Sequence, residues 1–204
     1  MKTLVLASGN KGKLAELNAL LNTLNIEVVP QSQFQVSDAI EDGLTFIENA
    51  LIKARHASKA TNLPALADDS GIEVDYLQGQ PGIYSARFAG EPSNDLANNQ
   101  KLLESLEGVP SAQRTARFHC VLALVRRWDD PTPLVCQASW EGEILTAPRG
   151  DNGFGYDPLF WVPNQECSSA ELPKELKNKI SHRGQACAKL KAALPSHLSH
   201  WVAH

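Results

Sequence analysis

Asp68 and Asp69 stand side by side in the segment Ala67-Asp68-Asp69-Ser70-Gly71. Neighbouring carboxylates repel each other, and burying both without a cation is costly. A hard ion such as Mg²⁺ removes that cost and takes oxygen ligands, and Ser70 beside the pair can donate to a phosphate oxygen. The plainer reading is a solvated acidic turn, because Asp and Gly are common in turns. The apolar run before Asp68 favours the first reading, since it sets the carboxylates at the carboxyl edge of a sheet, where open α/β folds bind ligands. Glu41, in Glu41-Asp42-Gly43, is a candidate further metal ligand, whereas Glu48 is already accounted for by its capping-box spacing from Thr45.

Three other segments suit a nucleotide. Ser8-Gly9-Asn10-Lys11-Gly12-Lys13 lies between an expected strand and an expected helix. Unpaired N–H groups at a helix N-terminus suit phosphate, glycines allow close approach, and lysines add charge. The segment is not a G-x-x-x-x-G-K-[ST] loop. In Gly153-Phe154-Gly155-Tyr156-Asp157-Pro158, glycines flank aromatics, and Phe154 or Tyr156 could stack on a base or be core aromatics of a tight turn. Lys177, Lys179, His182 and Arg183 gather at an expected helix break, where they could bind phosphate or base oxygens or simply form a solvated basic helix end. His197, His200 and His204 have metal-like spacing but read as a solvated terminus.

Strand-like and helix-like segments alternate along the chain, which argues for an α/β fold. Thr3 to Ala7 reads as a buried strand, followed by a helix carrying Leu14, Leu17, Leu20, Leu21 and Leu24 at helical spacing. Glu27 to Val29 is expected as a second strand and Phe46 to Lys59 as a capped helix. Ala65 to Ala67 reads as a short strand that ends abruptly in the Asp68–Gly71 turn. A helix capped by Asn94 or Ser93 follows. Thr115 to Val125 and Leu134 to Leu145 are expected as long strands, paired as a hairpin in a second lobe. The C-terminal third is expected to be helical with a break at Ser181–Gly184.

With 204 residues, 43% hydrophobic and 21% charged, the chain suits one large domain or two small lobes. Its net charge of −4 argues against a general nucleic-acid surface. Cys120, Cys136, Cys167 and Cys187 form no C-x-x-C pair, so they read as free thiols of a reducing compartment rather than zinc ligands. The first apolar run is too short for a signal peptide, and no run approaches a membrane span. A cytoplasmic protein is expected.

Taken in order, these segments resemble the inosine triphosphate pyrophosphatase family. The matching residues are Ser8-Gly9-Asn10 with Lys13, Phe46-Ile47-Glu48-Asn49-Ala50 with Lys53, and Ala67-Asp68-Asp69-Ser70-Gly71. Pro81-Gly82-Ile83-Tyr84-Ser85-Ala86-Arg87, Gly153-Phe154-Gly155-Tyr156-Asp157-Pro158 and Ser181-His182-Arg183-Gly184 complete the set. The resemblance spans about residue 3 to residue 195 and looks closest to the bacterial dITP/XTP pyrophosphatases. It implies a single domain over residues 1–204, a two-lobed α/β fold in which a long mixed sheet is flanked by helices, and a substrate cleft between the lobes. It also implies a homodimer and Mg²⁺-dependent hydrolysis of ITP, dITP and XTP to the monophosphate and pyrophosphate, keeping these nucleotides out of DNA and RNA. By position, Asp69 would be the proton acceptor and a metal ligand, supported by Asp68 and Glu41. Ser8, Gly9, Asn10, Lys11, Gly12, Lys13 and Lys53 would bind the triphosphate. Ser70, Phe154, Gly155, Tyr156, Asp157, Lys177, His182 and Arg183 would contact the rest of the nucleotide.

Overall fold

The computed structural model describes residues 2–8, 11–21 and 25–198. Its elements run β1 (Lys2–Leu6), α1 (Lys11–Leu21), β2 (Ile26–Pro30), α2 (Phe46–Thr61), β3 (Ala65–Val74), α3 (Asp95–Ser105), β4 (Thr115–Val125), β5 (Leu134–Ile144), β6 (Phe160–Val162), β7 (Cys167–Ser168), α4 (Lys174–Ile180) and α5 (His182–Leu198). The strands form a seven-stranded sheet in the order β2-β1-β3-β4-β5-β6-β7. The sheet is mixed: β1 lies parallel to β2 and β3, and β6 is antiparallel to β5 and β7. The chain divides into two compact units, one from Met1–Asp69, Cys120–Gln137 and Ala186–His204, the other from Ser70–His119 and Ala138–Gln185.

In the first unit, Leu4, Val5 and Leu6 are all fully buried. A parallel strand covered on both faces reads as such a continuous apolar run. Asn18 ties α1 to β2: its side chain donates to the Val28 carbonyl and accepts from the Val28 N–H, at 3.0 and 2.9 Å. Thr45 caps α2 by accepting the Glu48 N–H, and Glu48 answers by accepting from the Leu44 N–H and the Thr45 hydroxyl. The small residues Ala54 and Ala57 let α2 sit close on Ala65 and Ala67 of β3, with Val5, Ala7 and Val125 in the same cluster.

The turn from β4 to β5 is organised by Asp130, whose side chain is fully buried. Its carboxylate accepts from the Arg126 backbone N–H, from the Arg126 guanidinium at 2.8 and 2.6 Å, and from the Thr132 N–H. Arg55 of α2 donates to the Trp128 and Asp130 carbonyls and fastens the turn to the helix.

The second unit packs Ile72 and Val74, Leu102 of α3 and Leu106 just past it, Phe118, Trp140 and Phe160 into one core. Along its part of β5, Ala138, Trp140 and Ile144 are buried while Ser139 and Glu141 face solvent, the alternation of a sheet with one wet face. Arg114 is buried without a carboxylate partner among the described residues; its guanidinium donates to the Leu106, Ile144 and Leu145 carbonyls, each at 2.8 Å. Burial lowers the pKa of that guanidinium, and the three carbonyls offset part of the desolvation.

Three expectations change. β3 does not end at Ala67 but continues through Asp68, Asp69, Ser70 and Gly71 to Val74. The turn-like composition is overridden because both carboxylates find lysine partners and Ile72 and Val74 enter the second core. β4 and β5 are neighbours, as expected, but each is divided between the two units rather than belonging to a second lobe. The C-terminal third opens with β5, β6 and β7, and only Lys174–Leu198 is helical, broken at Ser181. His200 and His204 lie outside the described residues.

Asp130 supplies a test of the turn. Its pairing with Arg126 holds its carboxyl well below the usual range, against the opposing effect of burial. Asp130→Ala is expected to lower stability by about 3 kcal/mol at neutral pH. Because the folded-state pKa is the depressed one, the full contribution exists above the unfolded carboxylate value of about 4 and fades as pH falls toward the folded value. Urea unfolding should therefore show a gap between wild type and mutant at about pH 7 that narrows by about pH 3. A gap that is absent at neutral pH, or constant over this range, would contradict this role.

Candidate active site

The first unit places β1 between β2 and β3, so the chain leaves β1 in one direction and later returns on its other side. Right-handed crossovers then put α1 and α2 on opposite faces of the sheet. Successive side chains of β3 also alternate between faces. Asp68 pairs with Lys13 of α1, and Asp69 pairs with Lys53 of α2 at 2.6 Å, as this geometry requires. Lys53 also reaches Glu41 at 3.1 Å. The Asp68 side chain is 1% exposed and that of Asp69 12%. The Cys120 thiol lies 3.5 Å from the second Asp68 oxygen.

A pocket of about 250 Å³ opens here, lined by Ala7, Ser8, Lys13, Gln31, Asp38, Ala39, Glu41, Lys53 and Asp68. Burial pushes the Asp69 carboxyl up to about 6; Lys53 opposes the shift, while Glu41 and Asp68 add to it. Burial works against the Lys53 ammonium too, yet Asp69 and Glu41 outweigh it and raise its pKa. Both members of the pair are thus raised, because Asp69 feels burial and two other carboxylates against one ammonium. Gly9 and Asn10 lie outside the described residues, and Lys11 and Gly12 form the start of α1. Among the described residues, no three His, Cys, Asp or Glu side chains converge as a metal cluster. Glu41, Asp68 and Asp69 are instead held through the two lysines.

The second unit gathers the remaining residues. Asp157 is buried and accepts from the Phe154 N–H at 2.9 Å, from the Ser169 hydroxyl at 2.7 Å and from the Lys177 ammonium. Gly153 has φ +83°, and a Cβ there would overlap Asp157, so glycine is needed for conformation and for space. Phe154 is 55% exposed, with the Lys177 ammonium 5.7 Å and the Arg183 guanidinium 5.6 Å from its ring centroid. Arg183 also donates to the Ser70 hydroxyl at 3.2 Å. Tyr156 is 4% exposed and donates its hydroxyl to the Ser85 carbonyl at 2.7 Å. Of the two aromatics, then, Phe154 is the exposed one and Tyr156 anchors the loop. His182 is buried, stacked on Phe118 with centroids 4.7 Å apart.

Ser181 starts α5, with its hydroxyl accepting the Gly184 N–H at 3.2 Å. His182 and Arg183 therefore sit in the first turn of a helix, not at a helix end where the dipole favours cations. Positive charge there opposes the dipole, and an anion relieves the conflict.

Sequence reading did not find Gln31 and Asp38 in the pocket wall, since no spacing marks them. It also missed Ser169 behind Asp157 and Asp95 and Asn99 behind Gly155. The i,i+4 spacing of Asp95 and Asn99 puts them on one helix face, but their target lies far along the chain.

Residues 4–193 match the model of the Ham1 family. The chain is 62% identical over 194 residues to a dITP/XTP pyrophosphatase of Photobacterium profundum, covering 95% of this chain and 98% of that one. It is 57% identical to the dITP/XTP pyrophosphatase of Escherichia coli O157:H7, with coverage of 95% and 98%. A solved HAM1 protein from Coxiella burnetii shares 52% identity with a TM-score of 0.92, covering 96% of this chain and all of that one. The Staphylococcus aureus Ham1 protein shares 42% with a TM-score of 0.88 over the same shares. With relatives of this identity and this mixed α/β fold, the chain is a hydrolase of the nucleoside triphosphate pyrophosphatase class. The chain belongs to the Ham1 family.

The Asp157 cluster generates a stability test. Asp157→Ala removes an acceptor shared by three donors and leaves Lys177 facing a gap, so a loss of about 3 kcal/mol is expected in denaturant unfolding. Ser169→Ala removes one donor and should cost about 1 kcal/mol. Equal effects of the two substitutions would show that Asp157 is not the centre of the cluster.

Proposed function

We propose that this chain is a Mg²⁺-dependent nucleoside triphosphate pyrophosphatase that hydrolyses ITP, dITP and XTP to the monophosphate and pyrophosphate. Such an activity keeps non-standard purines out of DNA and RNA. The reading includes a homodimer in the cytoplasm; no helix among the described residues is long and apolar enough to cross a membrane. It takes its substrate names from the dITP/XTP pyrophosphatases to which the chain is similar. The observation that carries it is the pair of buried, lysine-matched carboxylates, with both lysines, Asp68 and Ser8 lining one polar pocket.

The donor set fits Mg²⁺: Asp69 and Glu41, which share Lys53, offer hard oxygens, with Asp68 on the other side of the pleat, and Mg²⁺ commonly takes one or two carboxylates and completes its shell with water and substrate phosphate. Bound there, the ion supplies neutralisation of phosphate charge. The rest falls to the chain's own side chains. An arriving triphosphate gives Lys13 and Lys53 new anionic partners and frees the carboxylates they hold. Ser8 and the α1 N-terminus, with Gly9 to Gly12, bind phosphate oxygens. Asp69 accepts a proton from the water that attacks the α-phosphorus, and pyrophosphate leaves. Phosphoryl transfer depends on such positioning and charge neutralisation more than on covalent chemistry.

Phe154 stacks on the base while Lys177, His182, Arg183 and Ser70 supply polar contacts. Hypoxanthine and xanthine present an acceptor oxygen where adenine presents an amino donor. Donors aimed at that oxygen are left unpaired by adenine, which discriminates strongly.

Asp69→Asn should keep the fold and lose about a hundredfold or more in kcat for XTP; a folded mutant with wild-type turnover would remove Asp69 from the proposed role. A panel of ITP, XTP, dITP and ATP, with Mg²⁺ and with chelator, should give metal-dependent pyrophosphate release from the first three only. ATP cut as fast as ITP would refute the donor argument. Release that survives chelation would refute the metal requirement.

A further inference from the structure

We propose that Asp95 and Asn99, one turn apart on α3, are positioning residues for base recognition, acting by clamping the two peptides on either side of Gly155, directly after Phe154. The proposal rests on the nucleotide reading above and deepens it. Both polar backbone groups of Gly155 are taken by these two side chains. The Asp95 carboxylate accepts the Gly155 N–H at 2.7 Å, and the Asn99 amide donates to the Gly155 carbonyl at 2.8 Å. The same Asn99 amide nitrogen donates to the Asp95 backbone carbonyl at 2.9 Å, which fixes its orientation. Its own oxygen is buried with no hydrogen-bond partner among the described residues. A buried acceptor left unpaired is unfavourable. The opposite orientation is worse, because it sets the amide oxygen against two carbonyl oxygens.

The clamp sits at an informative place. Gly155 is in the left-handed region at φ +60°, with nothing within 4 Å of a Cβ built there, so the packing around it does not hold the loop. The preceding peptide is held by Asp157 through the Phe154 N–H. Tyr156 on the far side is held through its hydroxyl at Ser85. Phe154 therefore has its backbone bonded on both sides while its ring stays 55% exposed. An exposed aromatic ring on a pinned backbone is preorganised for a flat ligand, which cuts the ordering cost of binding. Asp95 also lies in the first turn of α3, behind the Asn94 cap, where a negative charge favours the helix dipole. That purely structural role is the rival to be separated.

The experiment measures XTP kinetics, and equilibrium binding of a purine monophosphate and of inorganic pyrophosphate, for wild type, Asp95→Ala, Asp95→Asn, Asn99→Ala and Asn99→Asp, with unfolding curves for each. Asp95→Ala and Asn99→Ala are expected to raise KM for XTP about tenfold with a much smaller change in kcat, the pattern of lost uniform binding. Monophosphate binding should weaken by a similar factor and pyrophosphate binding should not change. Asp95→Asn keeps an acceptor for the Gly155 N–H but loses the charge, so it should restore near-wild-type KM. Asn99→Asp turns a carboxylate toward two carbonyls and should be worse than Asn99→Ala. The clamp is overturned if the alanine variants keep wild-type KM, or if Asp95→Asn is as impaired as Asp95→Ala. Equal weakening of monophosphate and pyrophosphate would also overturn it, since that marks general loosening. Wild-type protein that releases no pyrophosphate from any nucleotide would instead overturn the functional reading, and the monophosphate-binding arm would still judge the clamp.

Discussion

Two consecutive carboxylates buried in the middle of a strand are tolerable only if each finds its own cation. The pleat sends Asp68 and Asp69 to opposite faces of β3, so one helix cannot serve both. The first unit answers with α1 carrying Lys13 and α2 carrying Lys53, and the order β2-β1-β3 sets the two helices on opposite faces. The close seat of α2 on Ala65 and Ala67 brings Lys53 to Asp69. Removing one partner from such a pair leaves an uncompensated buried charge. Strand order, small residues at the helix contact and the lysines are thus parts of one solution.

The arrangement is suited to exchange rather than to rigidity. Lys13 and Lys53 line, with Asp68 and Glu41, a pocket that also carries Ser8, and anionic phosphate can replace carboxylate as the partner of each lysine. In the second unit the opposite holds. The segment from Gly153 to Asp157 is bonded at nearly every step, to Asp157, Ser169, Asp95, Asn99 and Ser85. In the reading proposed above, the phosphate contacts of the first unit are charged side chains, whereas the base contact of the second rests on bonded backbone.

Much of this was legible in the sequence because it is local. The Thr45-Glu48 capping box, the Asn94 cap and the long strand that opens at Leu134 each depend on residues a few positions apart, and each is found. The acidic pair was legible as chemistry but not as structure. Asp-Asp-Ser-Gly has turn composition, and only the distant Lys13 and Lys53 make it a strand. The basic segment was legible as a cluster at a helix break, with Lys177 and Lys179 in the last turn of α4, but the place of His182 and Arg183 in the first turn of α5 was not, because that depends on the Ser181 cap. The residues missed altogether, Asp38, Asp95, Asn99 and Ser169, act on partners brought near by the fold, and a lone Asn or Ser carries no signal of that kind.

The bond that is broken decides most directly between pyrophosphatase and other nucleotide chemistry. XTP hydrolysed by this chain in water labelled with heavy oxygen should place the label in the monophosphate, with unlabelled pyrophosphate released, as attack at the α-phosphorus requires. Label in the pyrophosphate would mean attack at the β-phosphorus, and labelled orthophosphate would mean attack at the terminal one. Either result would contradict the role given to Asp69 and the phosphate placement built around Lys13 and Lys53.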